Sequence, residues 1–151
     1  MKLNKSAENY LENIYILQQT MEEVRSIDLA NEMNFSKPSV SRAIHLLEDK
    51  GMVTIADNGA LILTEQGFEI ASKIHERHSF LAGYFMALGV PEEVAIADAC
   101  SIEHGLSDIT YKRLRTHIKH CACDCPHAPA QHFFEFNSDL LRTSEKKRKS
   151  S

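Results

Sequence analysis

The chain has 151 residues, enough for one ordinary domain or two small ones sharing a core. It is 43% hydrophobic, yet no apolar run approaches the ~20 residues of a membrane-spanning helix, so a soluble protein is predicted. The net charge of −4 argues against broad electrostatic attachment to nucleic acid, and six Lys/Arg against nine Asp/Glu in the first 64 residues mean that any DNA contact there must rest on a local patch.

Met1-Lys2-Leu3-Asn4-Lys5 has no apolar stretch behind it. No signal peptide is expected, and a cytoplasmic setting follows. In that compartment the four cysteines are expected as thiols or ligands rather than structural disulfides. Residues from Ser6 to about Gln19 read as a helix with Ser6 as its N-cap and Tyr10, Leu11, Ile14 and Leu17 as its apolar stripe. Asn9 and Glu12 lie together on another face. Ser26 is expected to cap a short helix, Ile27 to Asn34, with Ile27, Ala30 and Met33 inward.

Phe35-Ser36-Lys37-Pro38 breaks that helix and starts the next, with Ser36 as cap and Pro38 in the first turn, where a missing N–H costs nothing. The second helix runs to about Lys50 and stops at Gly51, burying Val40, Ala43, Ile44 and Leu47. Lys37, Ser39, Arg42 and His45 remain outward as donors for phosphates and base edges. Two short helices joined by a tight turn, the second with such a face, predict a helix-turn-helix rather than an ordinary helical hairpin. The β-prone runs Met52–Ile55 and Leu61–Leu63, separated by Asp57-Asn58-Gly59, predict a β-hairpin directly afterwards. Such a hairpin is the wing of a winged helix. Arg42 is expected to contact a base or phosphate, Ser36 and Ser39 phosphates, and Pro38 a thymine methyl.

Thr64 is expected to cap a long helix ending near Leu88, with Phe68, Ala71, Ile74 or His75, His78, Leu81 and Phe85 along its inner side. Gly89-Val90-Pro91 ends it, and a further helix runs from Pro91 through Cys100 to His104 before Gly105 stops it. In that helix Cys100, Glu103 and His104 stand at i, i+3 and i+4, so a thiol, a carboxylate and an imidazole share one face. That is a soft-to-borderline donor set for a first-row divalent metal, needing ligands from elsewhere to complete it. Ser107 or Asp108 caps a last helix to about His120.

Beyond it, Cys121, Cys123 and Cys125 share one face if extended, as Pro126 favours. With His127, or with His120, they are expected to close a second, structural zinc site. Residues 131–143 are ambiguous, and Ser144 to Ser151 form a polar, basic tail expected to be disordered.

The order of parts resembles the DtxR/MntR family of metal-dependent transcriptional repressors. The likeness covers Ser6 to His120 and is strongest in Ser36-Lys37-Pro38-Ser39-Val40-Ser41-Arg42-Ala43-Ile44, in Leu47-Glu48-Asp49-Lys50-Gly51 with the wing, and in Ile102-Glu103-His104-Gly105-Leu106-Ser107-Asp108. The resemblance implies a mainly α fold, with a winged helix-turn-helix DNA-binding domain at residues 1–64 and a linker helix with a helical metal-binding and dimerisation domain at 65–120; the Cys-rich segment and tail at 121–151 form a third part that the likeness does not cover. It is similar to the short branch without an SH3-like domain.

Position by position, the resemblance implies a metal site of Glu12, His78, Cys100, Glu103 and His104. Asn9 stands where one branch has an Asp and the other a Met, and it can offer only a neutral amide oxygen. Cys100 resembles the iron-sensing branch, whereas Ala82 and Ile96 replace a Glu and a His of that branch's ancillary site. The implied function is repression of metal-uptake genes by a homodimer that binds operator DNA when loaded with Fe(II) or Mn(II), with Fe(II) the stronger activator. A winged-helix regulator sensing a small organic ligand or thiol oxidation is the alternative. No enzyme is expected, since no His-Glu-x-x-His motif or spare acid–base group serves the site.

Overall fold

The computed structural model describes residues 3–121, with side chains described as far as Ile118. The described chain is helical apart from one β-hairpin and falls into two compact units, one ending at His75 and the other beginning at Glu76.

In the first unit, helix α1 spans Lys5–Thr20. Its cap is Asn4, not Ser6: the Asn4 Oδ1 accepts from the Ala7 amide at 2.8 Å. Asn caps as well as Ser does, and the earlier start lets Leu3 and Ala7 join the core. Helix α2 spans Ser26–Met33, and Ser26 is its first residue rather than its cap. The Asp28 carboxylate accepts from the Arg25 amide at 2.8 Å, so the turn is closed from within the helix. Val24 and Arg25 are meanwhile drawn alongside the wing, with the Leu61 amide donating to the Val24 carbonyl at 2.7 Å and Arg25 bridged to Ala60. This rotates α2 so that Leu29 and Ala30 are buried while Ile27, expected inward, is 39% exposed.

Helix α3 spans Lys37–Asp49, capped by Ser36 with Pro38 in its first turn, as the sequence predicts. Val40, Ile44 and Leu47 are buried against Leu11, Ile14 and Leu29. Strands β1 (Val53–Ile55) and β2 (Leu61–Leu63) pair antiparallel with Thr54 opposite Ile62. Met52 precedes the strand instead of starting it, and its carbonyl serves the next helix. At the hairpin tip Gly59 takes a φ of 82°, a left-handed conformation that its missing Cβ tolerates, and Asn58 Oδ1 accepts from the Ala60 amide at 3.0 Å. Val53 and Leu61 point into the core while Thr54 and Ile62 face out, the two-residue period of a half-buried hairpin.

Helix α4 spans Glu65–Ala87, with Thr64 Oγ1 accepting from the Gly67 amide at 3.1 Å. Thr64 also donates its hydroxyl to the Gly51 carbonyl at 2.7 Å, fastening α4 to the end of α3. A Cβ on Gly67 would lie 2.0 Å from the Met52 carbonyl oxygen, so only glycine lets the first turn approach so closely. Phe68, expected inward, is 49% exposed, although its ring meets Tyr15 edge-on at 5.5 Å. Gly67 takes the contact position instead, since the backbone itself packs there.

In the second unit, the remainder of α4 packs with α5 (Glu92–Ile102) and α6 (Asp108–Cys121). Phe80, Leu81, Ala82, Ala99 and Tyr111 form its core, with Phe80 edge-on to Tyr111 at 5.5 Å. The α5 helix ends at Ile102 rather than His104. The amides of Gly105 and Leu106 both return to the Ile102 carbonyl, at 2.9 and 3.2 Å, which tightens the chain into a turn. Glu103 keeps helical angles (φ −55°, ψ −38°) at the cap, and His104 lies in the turn. Ser107 is the cap of α6, its Oγ accepting from Thr110 at 3.2 Å. Among the described residues, no helix is long and apolar enough to cross a membrane.

Candidate metal centre and nucleic-acid interface

Helix α3 presents its polar face to solvent. Ser36, Lys37, Pro38 and Arg42 are exposed, and Ser39 is half-buried. Ser36 donates its hydroxyl to Ser39 Oγ at 2.8 Å, which ties both hydroxyls to the start of the helix. His45 is drawn toward Glu48 at 3.4 Å. Arg42, by contrast, makes no hydrogen bond or ion pair among the described residues, so its guanidinium is available for a phosphate or a base edge. Lys50 is the C-cap of the same helix.

Glu12 is a buried carboxylate of α1, 6% exposed, in the first unit. His75 Nδ1 lies 3.6 Å from its Oε1, and the His75 ring rests on Tyr15 with centroids 5.4 Å apart. Asn9 is half-buried one turn earlier, and its main-chain carbonyl accepts from Asn13. Burial raises the pKa of the Tyr15 hydroxyl above the ordinary phenol value.

The second unit gathers three of the expected residues around one carboxylate. Glu103 has no exposed surface. Its Oε2 accepts from His78 Nδ1 at 2.7 Å, and its Oε1 lies 3.1 Å from His104 Nε2. Cys100, a half-buried thiol, stands one turn before Glu103 in α5. Taking a carboxylate fully out of water costs several kcal/mol, roughly, unless charge and hydrogen bonds compensate. A carboxylate flanked by two imidazoles and preceded by a thiol suits a first-row divalent ion by donor chemistry. The residues present therefore fit a metal.

Sequence reasoning missed what holds this turn in place. Arg77, 7% exposed, donates from Nη1 to the Leu106 carbonyl at 2.9 Å, pairs through Nη2 with Asp108, and lies 5.1 Å from the centre of the Tyr111 ring. Its neighbour Glu76 binds Arg115 and Tyr111 Oη. Burial, followed by the charge of Glu76, pushes the Tyr111 pKa up to about 12. Arg77 and His78 thus clasp Leu106 and Glu103, on either side of the turn that carries His104. The only signal in the sequence was two ionisable residues beside an apolar run, with an acid at position 108 to answer them. The side chains of His120 and Cys121, together with Cys123, Cys125 and His127, lie outside the described residues, as do residues 131–143 and the tail.

Comparisons with known proteins place this arrangement. Residues 2–61 match the domain described as "Iron dependent repressor, N-terminal DNA binding domain", and residues 64–131 match "Iron dependent repressor, metal binding and dimerisation domain". An uncharacterized HTH-type transcriptional regulator of Methanocaldococcus jannaschii is 31% identical over 115 residues, covering 75% of this chain and 92% of its own. The transcriptional regulator MntR of Escherichia coli (strain CFT073) is 30% identical over 108 residues, 72% of this chain and 70% of that one. Among solved structures, the manganese regulator SloR is 28% identical with a TM-score of 0.67, covering 79% of this chain and 55% of the other. A manganese-dependent transcriptional repressor in complex with manganese is 28% identical with a TM-score of 0.66, at 74% and 51% coverage. The chain thus spans about half the length of those solved proteins. With a winged helix matching one domain, a buried carboxylate–imidazole cluster inside the other, and relatives aligned across most of their length, the chain belongs to the iron-dependent repressor family of metal-dependent transcriptional regulators.

Proposed function

We propose that this regulator binds operator DNA as a homodimer when a divalent metal, Fe(II) or Mn(II), is held by Glu12, His78, Cys100, Glu103 and His104. Residues 1–64 act as the DNA-binding domain and 65–120 as the metal-binding and dimerisation domain. The observation that carries the reading is Glu103, fully buried with His78 at 2.7 Å and His104 at 3.1 Å. Asn9 adds at most an amide oxygen.

Metal binding that draws on Glu12, from the DNA-binding part of the chain, as well as on residues 78–104 links metal occupancy to operator affinity. Lys37, Arg42 and the hydroxyls of Ser36 and Ser39 supply phosphate and base contacts from α3, and Pro38 offers an apolar contact to a thymine methyl. Dimerisation sets two such helices about one DNA turn, or a multiple, apart. The thiolate of Cys100 favours Fe(II), because Mn(II) is the weakest first-row binder at soft sites.

Chelator-stripped protein, tested for operator binding with each divalent metal in turn, examines the proposal. Binding restored by Fe(II) or Mn(II), and lost in Glu103→Ala and His104→Ala, is expected. Operator affinity that is unaffected by chelator would overturn it and favour an organic or redox signal. Retention of zinc by the wild type, lost when Cys121, Cys123 and Cys125 are all changed to Ser, tests the separate proposal of a structural zinc site with His127 or His120.

A further inference from the structure

We propose that His75 is a ligand of the metal that Glu12 holds, an imidazole added to the set that the family resemblance implies. The inference rests on the reading of Glu12 as a metal ligand. His75 Nδ1 is sheltered from solvent and makes no hydrogen bond, although Glu12 Oε1 faces it at 3.6 Å. That separation is too long for a hydrogen bond. It is close to the bite of a shared ion: with metal–donor bonds of about 2.1 Å, two donors at right-angled or tetrahedral positions stand roughly 3.0–3.4 Å apart. A buried ring nitrogen left unsatisfied beside a buried carboxylate costs free energy that a cation between them recovers.

The ring is also held in place. Tyr15 packs on it at 5.4 Å with the planes tilted by 51°, so the donor needs little reorganisation to bind. The ligand chemistry gives a reason for its presence. Asn9 brings no charged or soft donor one turn before Glu12, and His75 supplies a borderline nitrogen on the same side of α1. With His75 the set has three imidazoles, and without it two.

The test uses the full chain, stripped of metal, with Co(II) and Mn(II) as probes. His75→Phe keeps the ring contact with Tyr15 and removes the donor; His75→Gln keeps a polar group. Metal-free melting followed by circular dichroism establishes that both variants fold. Both are expected to bind Co(II) and Mn(II) more weakly by roughly 10- to 100-fold or more, the lower end being what even an outer-shell loss produces. Pulsed electron paramagnetic resonance of the Mn(II) form is expected to lose one set of imidazole nitrogen couplings. Affinity lost with the couplings unchanged would make His75 a positioning residue for Glu12 and overturn its assignment as a ligand. Wild-type affinity and couplings in both variants would overturn it as well. If Glu103→Gln abolishes binding in that case, the wider metal reading stands and only His75 falls; if the wild type binds neither probe, both fall together.

Discussion

Replacing Glu103 by Gln changes one oxygen for an amide at the centre of the cluster, with the shape of the side chain preserved. In the metal-free protein the two consequences oppose each other. The bond from His78 at 2.7 Å survives as a bond to the amide carbonyl but loses its charge, which costs about 1 kcal/mol given that charged hydrogen bonds contribute roughly 1.5–3 and neutral ones 0.5–1.5. Against this, a carboxylate with no exposed surface no longer has to be desolvated, a relief of similar or larger size. Metal-free stability is therefore expected to stay within about 2 kcal/mol of the wild type. Metal-loaded stability should behave differently. At a metal concentration about 100 times Kd the wild type gains roughly 2.7 kcal/mol, whereas a site weakened 100-fold gains only about 0.4 kcal/mol. Urea denaturation of both proteins, with and without Co(II), reads these differences directly. A variant that keeps the full metal-dependent stabilisation would refute Glu103 as a ligand. A variant that fails to fold without metal would show that the carboxylate serves the core rather than an ion.

Gly67→Ala drives a Cβ to within 2.0 Å of the Met52 carbonyl and should destabilise the first unit by about 1–3 kcal/mol or more in chemical denaturation; an unchanged midpoint would mean that α4 shifts at no cost. Arg77→Met leaves the Leu106 carbonyl without its donor and should cost about 2 kcal/mol, discounted because Asp108 is 55% exposed. Arg77→Lys should recover only part of that loss, since an ammonium cannot reproduce the planar fork, and full recovery would reduce the role of Arg77 to its charge. Arg42→Ala should weaken operator binding by about 1–3 kcal/mol while leaving calorimetric metal affinity unchanged. A fall in metal affinity would give it a structural role instead. Tyr111, held at about 12 in the folded chain against 10.0 ordinarily, stabilises the fold fully below pH 10, and that contribution is lost as pH rises toward 12. Phenolate absorbance should lose a late-titrating component near pH 12 in Tyr111→Phe; an unchanged titration curve in that variant would mean that water reaches the Tyr111 hydroxyl.

Features carried by neighbours in sequence are legible in the sequence alone. Ser36, Pro38 and Gly51 delimit α3 through caps and turns that depend on a few adjacent dihedral angles. Asn58-Gly59 sets the hairpin in the same way. The crowding of Cys100, Glu103 and His104 was legible too, because spacing within one helix turn brings side chains together whatever surrounds them. Helix ends were less so. Ser6 and Ser26 were good caps by residue type, but Leu3 gained by burial and Val24–Arg25 gained by pairing with the wing, and neither gain is local.

Only tertiary structure could decide which polar groups share a buried space. His78 meets Glu103 across 25 positions, and Arg77 meets Asp108 across 31. His75 faces Glu12 from a different helix, and Gly67 touches Met52 across a change from strand to helix. Periodicity places each of these residues on a face without naming its partner. The partner follows from how whole helices pack, a sum over many apolar contacts that no single spacing records.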